Sequence, residues 1–179
     1  MLAYLFIAIA VVGAAIHLIV RRSSLDRIRV VEILLAWSLA VLIGVNGIVG
    51  AFFHVFFPDF TARLIGWPTG SPFQFENAMG DLAMGVLGVL CIWIRGRFWL
   101  ATVIASSIQL IGDAYGHVYQ LVVHHNNAPE NVGAVLYSDF LFPVSIIALL
   151  IAHTWLTQRQ TEQREDHRSP APSAPLGAR

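Results

Sequence analysis

Five apolar stretches, each long enough to cross a bilayer, leave this chain few ways to fold. They run from about Met1 to Val20, Val30 to Phe57, Phe75 to Ile94, Phe98 to Val123 and Ala134 to Leu156. A crossing helix needs roughly 20 mostly apolar residues to pass about 30 Å of hydrocarbon, and in that medium the helix satisfies its own backbone hydrogen bonds. Of 179 residues, 56% are hydrophobic and 12% charged, which excludes an ordinary soluble domain, where about a quarter are charged. Residues 1–157 therefore read as an all-α, integral membrane five-helix bundle. Residues 158–179, first rich in Gln, Glu and Arg and then in Pro, read as a disordered tail.

Orientation follows from arginine, which supplies all 11 basic residues. Four lie between Arg21 and Arg29, Arg95 and Arg97 flank Gly96, and four follow Leu156, leaving Arg63 alone between the second and third stretches. Counting positive charge by side places the N-terminus outside and the C-terminus in the cytoplasm, with a bacterial inner membrane as the expected location. The first stretch has no basic residue ahead of it and Arg21 and Arg22 just after it, the reverse of a cleavable signal peptide. A formal net charge of +0 gives no basic field to hold nucleic acid. The single cysteine, Cys91, forms no intramolecular disulfide and no Cys-x-x-Cys pair.

Polar residues inside the spans are costly, and by default they mark a site facing the bundle interior. In the fourth stretch Gln109, Asp113, His117, Gln120 and His124 recur at helical spacing on one face. In the third, Asn77 and Asp81 share a face, whereas Glu76 points about 140° away from Asp81 at about 100° per residue. In the second, Asn46, Gly50 and His54 form one row, and the fifth supplies Tyr137, Ser138 and Asp139. At about 1.5 Å per residue, the acidic groups and His54 and His117 fall at one depth, near the outer side. Trp67, in the outer loop, suits the membrane interface or a lid over that site. His17, Glu32 and His153 lie near the other ends of their helices, where their polar heads reach water.

Several carboxylates at one depth with no arginine among them need compensation. One solution is a single transition metal, zinc, iron or manganese, held by His54, Glu76, Asp81, Asp113 and His117, although no Glu-x-x-His pair or His-Glu-x-x-His motif is present. Another is proton sharing between carboxyl and imidazole groups, with no cofactor, which suits acid/base chemistry on an apolar molecule. A third is interhelical fastening without chemistry, in a homo-oligomer or a subunit of a membrane complex.

Four short pieces carry a likeness. Phe52-Phe53-His54-Val55, Phe75-Glu76-Asn77, Gln109-Leu110-Ile111-Gly112-Asp113 and Asp139-Phe140-Leu141-Phe142 resemble segments of the emopamil-binding protein group, whose EXPERA domain includes a sterol isomerase. The run from Ile65-Gly66-Trp67-Pro68 to Phe73-Gln74-Phe75-Glu76 is also similar to small bacterial membrane proteins of unknown function. The first resemblance implies binding, with isomerisation, of a small apolar lipid- or sterol-like molecule in contact with membrane lipid. On these grounds His54, Glu76, Asp113, His117 and Asp139 are the candidate acid/base groups. Asn46, Trp67, Asn77, Asp81, Gln109, Tyr137 and Phe142 are the candidate ligand contacts. Reporter fusions should place residues 58–74 and 124–133 outside and residues 21–29 and 95–97 inside; Trp67 on the cytoplasmic side would reverse the orientation.

Overall fold

Capping and turn chemistry cut the chain where the apolar runs end. The structure, a computed structural model, describes residues 2–168. Its helices are α1 (Leu2–Val20), α2 (Arg27–Trp37), α3 (Asn46–Phe56), α4 (Pro58–Ile65), α5 (Phe73–Leu90), α6 (Arg97–His124), α7 (Pro129–Val132) and α8 (Ala134–Arg168). A 3₁₀ turn over Arg22–Ser24 precedes α2, and a π-helical segment over Ser38–Val45 joins α2 to α3 without a break. Among the described residues there is no strand.

The Asp26 side chain accepts from Arg29 N at 2.7 Å and caps α2. Pro58 at the first turn of α4 needs no N–H partner there and begins the helix directly after α3. Gly66, at φ 80°, ends α4 in the left-handed region, with Trp67 N bonding back to Ala62 O at 2.8 Å. That reversal turns Trp67 back over the bundle.

Four helical stretches are long and apolar enough to cross a membrane by length and composition: Leu2–Val20, Arg27–Phe56, Arg97–His124 and Pro129–Asp166. Helix α5 is not among them. It has 18 residues, includes Glu76 and Asp81, and stops at Leu90, short of the expected Ile94. The last helix runs past the expected Leu156 to Arg168, because the Gln, Glu and Arg residues that follow are good helix formers. The expected disordered tail is thus helical through its first part, and residues 169–179 of it lie outside the described residues. Two expected loops carry short helices, α4 and α7.

Helix α5 packs on α3 and the π-helical segment, and α6 packs on α8, while α5 and α6 meet over a smaller area. The first of these contacts is backbone on backbone. A Cβ added to Gly88 would lie 2.5 Å from Gly44 N, one on Gly85 2.7 Å from Ile48 N, and one on Gly47 2.7 Å from Asp81 O. Small residues allow such approach, and close van der Waals packing holds membrane helices together where lipid offers no hydrophobic contrast. Leu35, Leu39, Leu42, Trp99, Val103 and Ile146 fill the core beside it.

The two ends are tied differently. At one, Glu32 binds both Arg29, at 2.7 Å, and Arg95. At the other, Asn126 Nδ2 donates to Ile65 O at 2.9 Å, joining the segment after α6 to the end of α4. Gly88→Ala should lower stability by roughly 1–3 kcal/mol through overpacking, read as denaturant unfolding in micelles. Gly112→Ala, whose Cβ would meet nothing within 4 Å, should stay within about 0.5 kcal/mol.

Candidate functional site

The glycine contact between α3 and α5 positions the first half of the site. A Cβ at Gly50 would come within 3.2 Å of Asp81 Oδ2, so the missing side chain makes room for that carboxylate. Asp81 Oδ1 accepts from Gln109 Nε2 on α6 at 2.8 Å, and Oδ2 accepts from Asn77 Nδ2 at 3.4 Å. His54, in the last turn of α3, presents Nε2 to Asp81 Oδ2 at 4.0 Å and to Asn77 Nδ2 at 3.4 Å. Its Nδ1 lies 2.5 Å from Gln74 Oε1, and Gln74 is buried in the first turn of α5.

The second half lies between α6, α7 and α8. His117 Nε2 is 3.7 Å from Asp139 Oδ2, and both side chains are 8% exposed. His117 Nδ1 lies 2.9 Å from Asn131 Oδ1. Asn131, fully buried on α7, donates through Nδ2 to Asn126 O at 2.8 Å and His117 O at 3.3 Å. The Trp67 ring stacks on His117 with centroids 6.5 Å apart and planes at 21°. Among the described residues, Asp139 Oδ2 and Trp67 Nε1 are buried without a hydrogen-bond partner.

Asp113 links the halves. It lies within electrostatic reach of Asp81, Asp139 and His117, and Asp81 and Asp139 sense one another. Below Asp81 a cavity of about 40 Å³ is lined by Asn46, Gly47, Met84, Ser106 and Gln109 among others. It has room for one or a few waters, far less than the several hundred Å³ of a ligand pocket.

The expected candidates therefore divide. His54, Asp81, Gln109, Asp113, His117, Asp139 and Asn77 come together, Asn46 lines the cavity, and Trp67 covers His117. Glu76 and Tyr137 are exposed and stay outside the cluster. Glu76 sits on a face of α5 turned well away from that of Asp81, as its spacing requires. Phe142 is 2% exposed and belongs to the apolar core. Gln74 and Asn131 are the participants that helix periodicity did not select: one opens a helix between two phenylalanines, and the other returns on a segment that folds under α6. Away from the site, His17 Nδ1 accepts from Trp37 Nε1 at 3.3 Å and His153 packs edge-on to Trp99.

No group of three or more His, Cys, Asp or Glu among the described residues is arranged to hold a metal ion. His54 and His117 each point Nδ1 at an amide oxygen, and Glu76 lies outside the cluster.

Residues 1–159 match the profile of DUF6790, a family of unknown function. No curated protein and no solved structure matches the chain, and nothing in the comparisons supports the likeness to the emopamil-binding group. Gln109→Leu should destabilise the protein by roughly 1–3 kcal/mol, because Asp81 Oδ1 loses its donor. Glu76→Ala should change stability by no more than about 0.5 kcal/mol; denaturant titration of both variants in micelles checks the contrast.

Proposed function

We propose, from the premise that the chain belongs to the DUF6790 family of unknown function, that it is a membrane-embedded acid/base site for a small apolar molecule. The substrate is a lipid-soluble, sterol- or isoprenoid-like compound, and the chemistry is isomerase-like proton transfer. The observation that carries this reading is the grouping of Asp81, Asp113 and Asp139 within mutual electrostatic reach, with a histidine Nε2 facing two of them. The chain has no arginine between Arg97 and Arg159 or between Arg63 and Arg95, so neither α5 nor the membrane part of α6 and α8 brings a permanent cation. Full ionisation would set like charges against one another in a poorly solvated space. Sharing protons between carboxyl and imidazole relieves that repulsion and leaves an acid beside a base, the pairing that proton-transfer catalysis needs.

In this reading α5 is a fifth crossing, with an external N-terminus and a cytoplasmic C-terminus in a bacterial inner membrane. The ligand arrives from the lipid side between α5 and α6, which touch over a small area. A second reading, a non-catalytic subunit whose polar groups fasten helices, draws on the small size of the cavity. It differs in what the mutants do.

Photo-crosslinking with a diazirine-bearing sterol and a diazirine-bearing isoprenoid, in vesicles, separates the two. Asp113→Asn and His117→Gln should each reduce labelling of α5 and α6 at least tenfold while the proteins remain folded. Labelling unchanged in both variants would leave the fastening role.

A further inference from the structure

The two halves of the site repeat one arrangement. In each, a buried side-chain amide presents its oxygen to Nδ1 of a histidine, and the same histidine turns Nε2 toward a carboxyl group. The order is Gln74, His54, Asp81 on one side and Asn131, His117, Asp139 on the other, with Asp113 within electrostatic reach of both carboxyl groups. The pieces come from unrelated parts of the chain: Gln74 opens α5, and Asn131 sits on α7.

We infer that Gln74 and Asn131 are positioning residues that hold both imidazoles with the proton on Nδ1, leaving each Nε2 lone pair facing a carboxyl group. An amide oxygen only accepts, so the ring nitrogen beside it must donate. The orientation of Asn131 is itself determined, since its Nδ2 donates to two backbone carbonyls, Asn126 O and His117 O, and its oxygen has no other direction to take. In the first half, the Asn77 amide nitrogen lies 3.4 Å from His54 Nε2; a donor there requires Nε2 to be the acceptor. Neutral imidazole beside neutral carboxyl is also the arrangement with least charge to desolvate.

The inference gives the acid/base reading a mechanism and rests on it for its catalytic meaning. A carboxyl proton passes from Asp139 to His117 Nε2, leaving a carboxylate and an imidazolium that still donates Nδ1–H to Asn131. The reverse transfer restores both groups. With one pair delivering a proton to a carbon of the substrate double bond and the other removing one from the allylic carbon, the double bond shifts. The substrate gains and loses one proton. The displaced proton returns to the first pair through Asp113, and the protein ends as it began. If either ring carried its proton on Nε2 alone, the facing carboxyl could not pass a proton to it.

Nitrogen-15 solid-state NMR of the full protein in lipid bilayers at neutral pH, with labelled histidine, reads the tautomers directly and without any ligand. His54→Gln and His117→Gln assign the two rings by loss of signal. In the unmodified protein both should show a protonated Nδ1 and an unprotonated Nε2. Asn131→Leu should abolish that signature at His117 alone and Gln74→Leu at His54 alone, while Asn131→Asp and Gln74→Glu, which keep an acceptor, should retain it. A ring protonated on Nε2 in the unmodified protein, alone or together with Nδ1, would overturn the inference, as would leucine variants with unaltered spectra. Because the unmodified protein is measured first, a leucine variant that fails to fold leaves the test intact. Crosslinking by the apolar probe is scored separately. Correct tautomers without labelling would sink the functional reading alone, and labelling with the wrong tautomers would sink this inference alone.

Discussion

Backbone contact between α5 and the π-helical segment with α3 sets the position of everything built above it. Glycines 44, 47, 85 and 88 bring main chain against main chain, with Val89 and Ile48 packed beside them. From that fixed seam, Gly50 opens the space that Asp81 occupies, and Asp81 reaches His54 on one side and Gln109 on the other. The polar centre is thus positioned by tight packing, in which dispersion between well-fitted surfaces brings the polar groups together.

What the seam holds is an electrostatic problem with few solutions. Three carboxyl groups lie within electrostatic reach of one another, and among the described residues no arginine is paired with any of them. Amides take up much of the strain: Gln109 and Asn77 donate to Asp81, while Gln74 and Asn131 accept at the histidines. Such side chains carry no charge and have fixed donor and acceptor ends, so they can orient an imidazole without the far larger penalty of burying another ion. The unpartnered Oδ2 of Asp139 beside His117 is the point at which this satisfaction is left incomplete.

Much of this was legible in the sequence wherever a period or a length carried the signal. The stripe Gln109, Asp113, His117 follows from helical spacing, and so does the exclusion of Glu76 from the face of Asp81. The apolar runs gave the long helices to within a few residues at most ends. The signal failed where partners are brought together by chain reversal. Asn131 reaches His117 because α7 tucks under the end of α6, and Trp67 stacks because Gly66 turns the chain back; neither has a periodicity. Phe142 and Tyr137 sit in a helix that is apolar on most sides, so composition could not tell core from lipid face. The extension of α8 to Arg168 was hidden because polar helix formers read equally well as solvated tail.

The contrast between the two ends of the bundle has a consequence for how it responds to its surroundings. One end is closed by Glu32 gripping Arg29 and Arg95, an arrangement of exposed charges that mobile ions screen over about 10 Å at 0.1 M salt. The opposite end is closed by Asn126 and Asn131 through neutral hydrogen bonds, which salt leaves alone. Rising ionic strength therefore weakens the ties at the arginine end and leaves those at the asparagine end, so the loops at one end answer to salt while the packed helices between them do not.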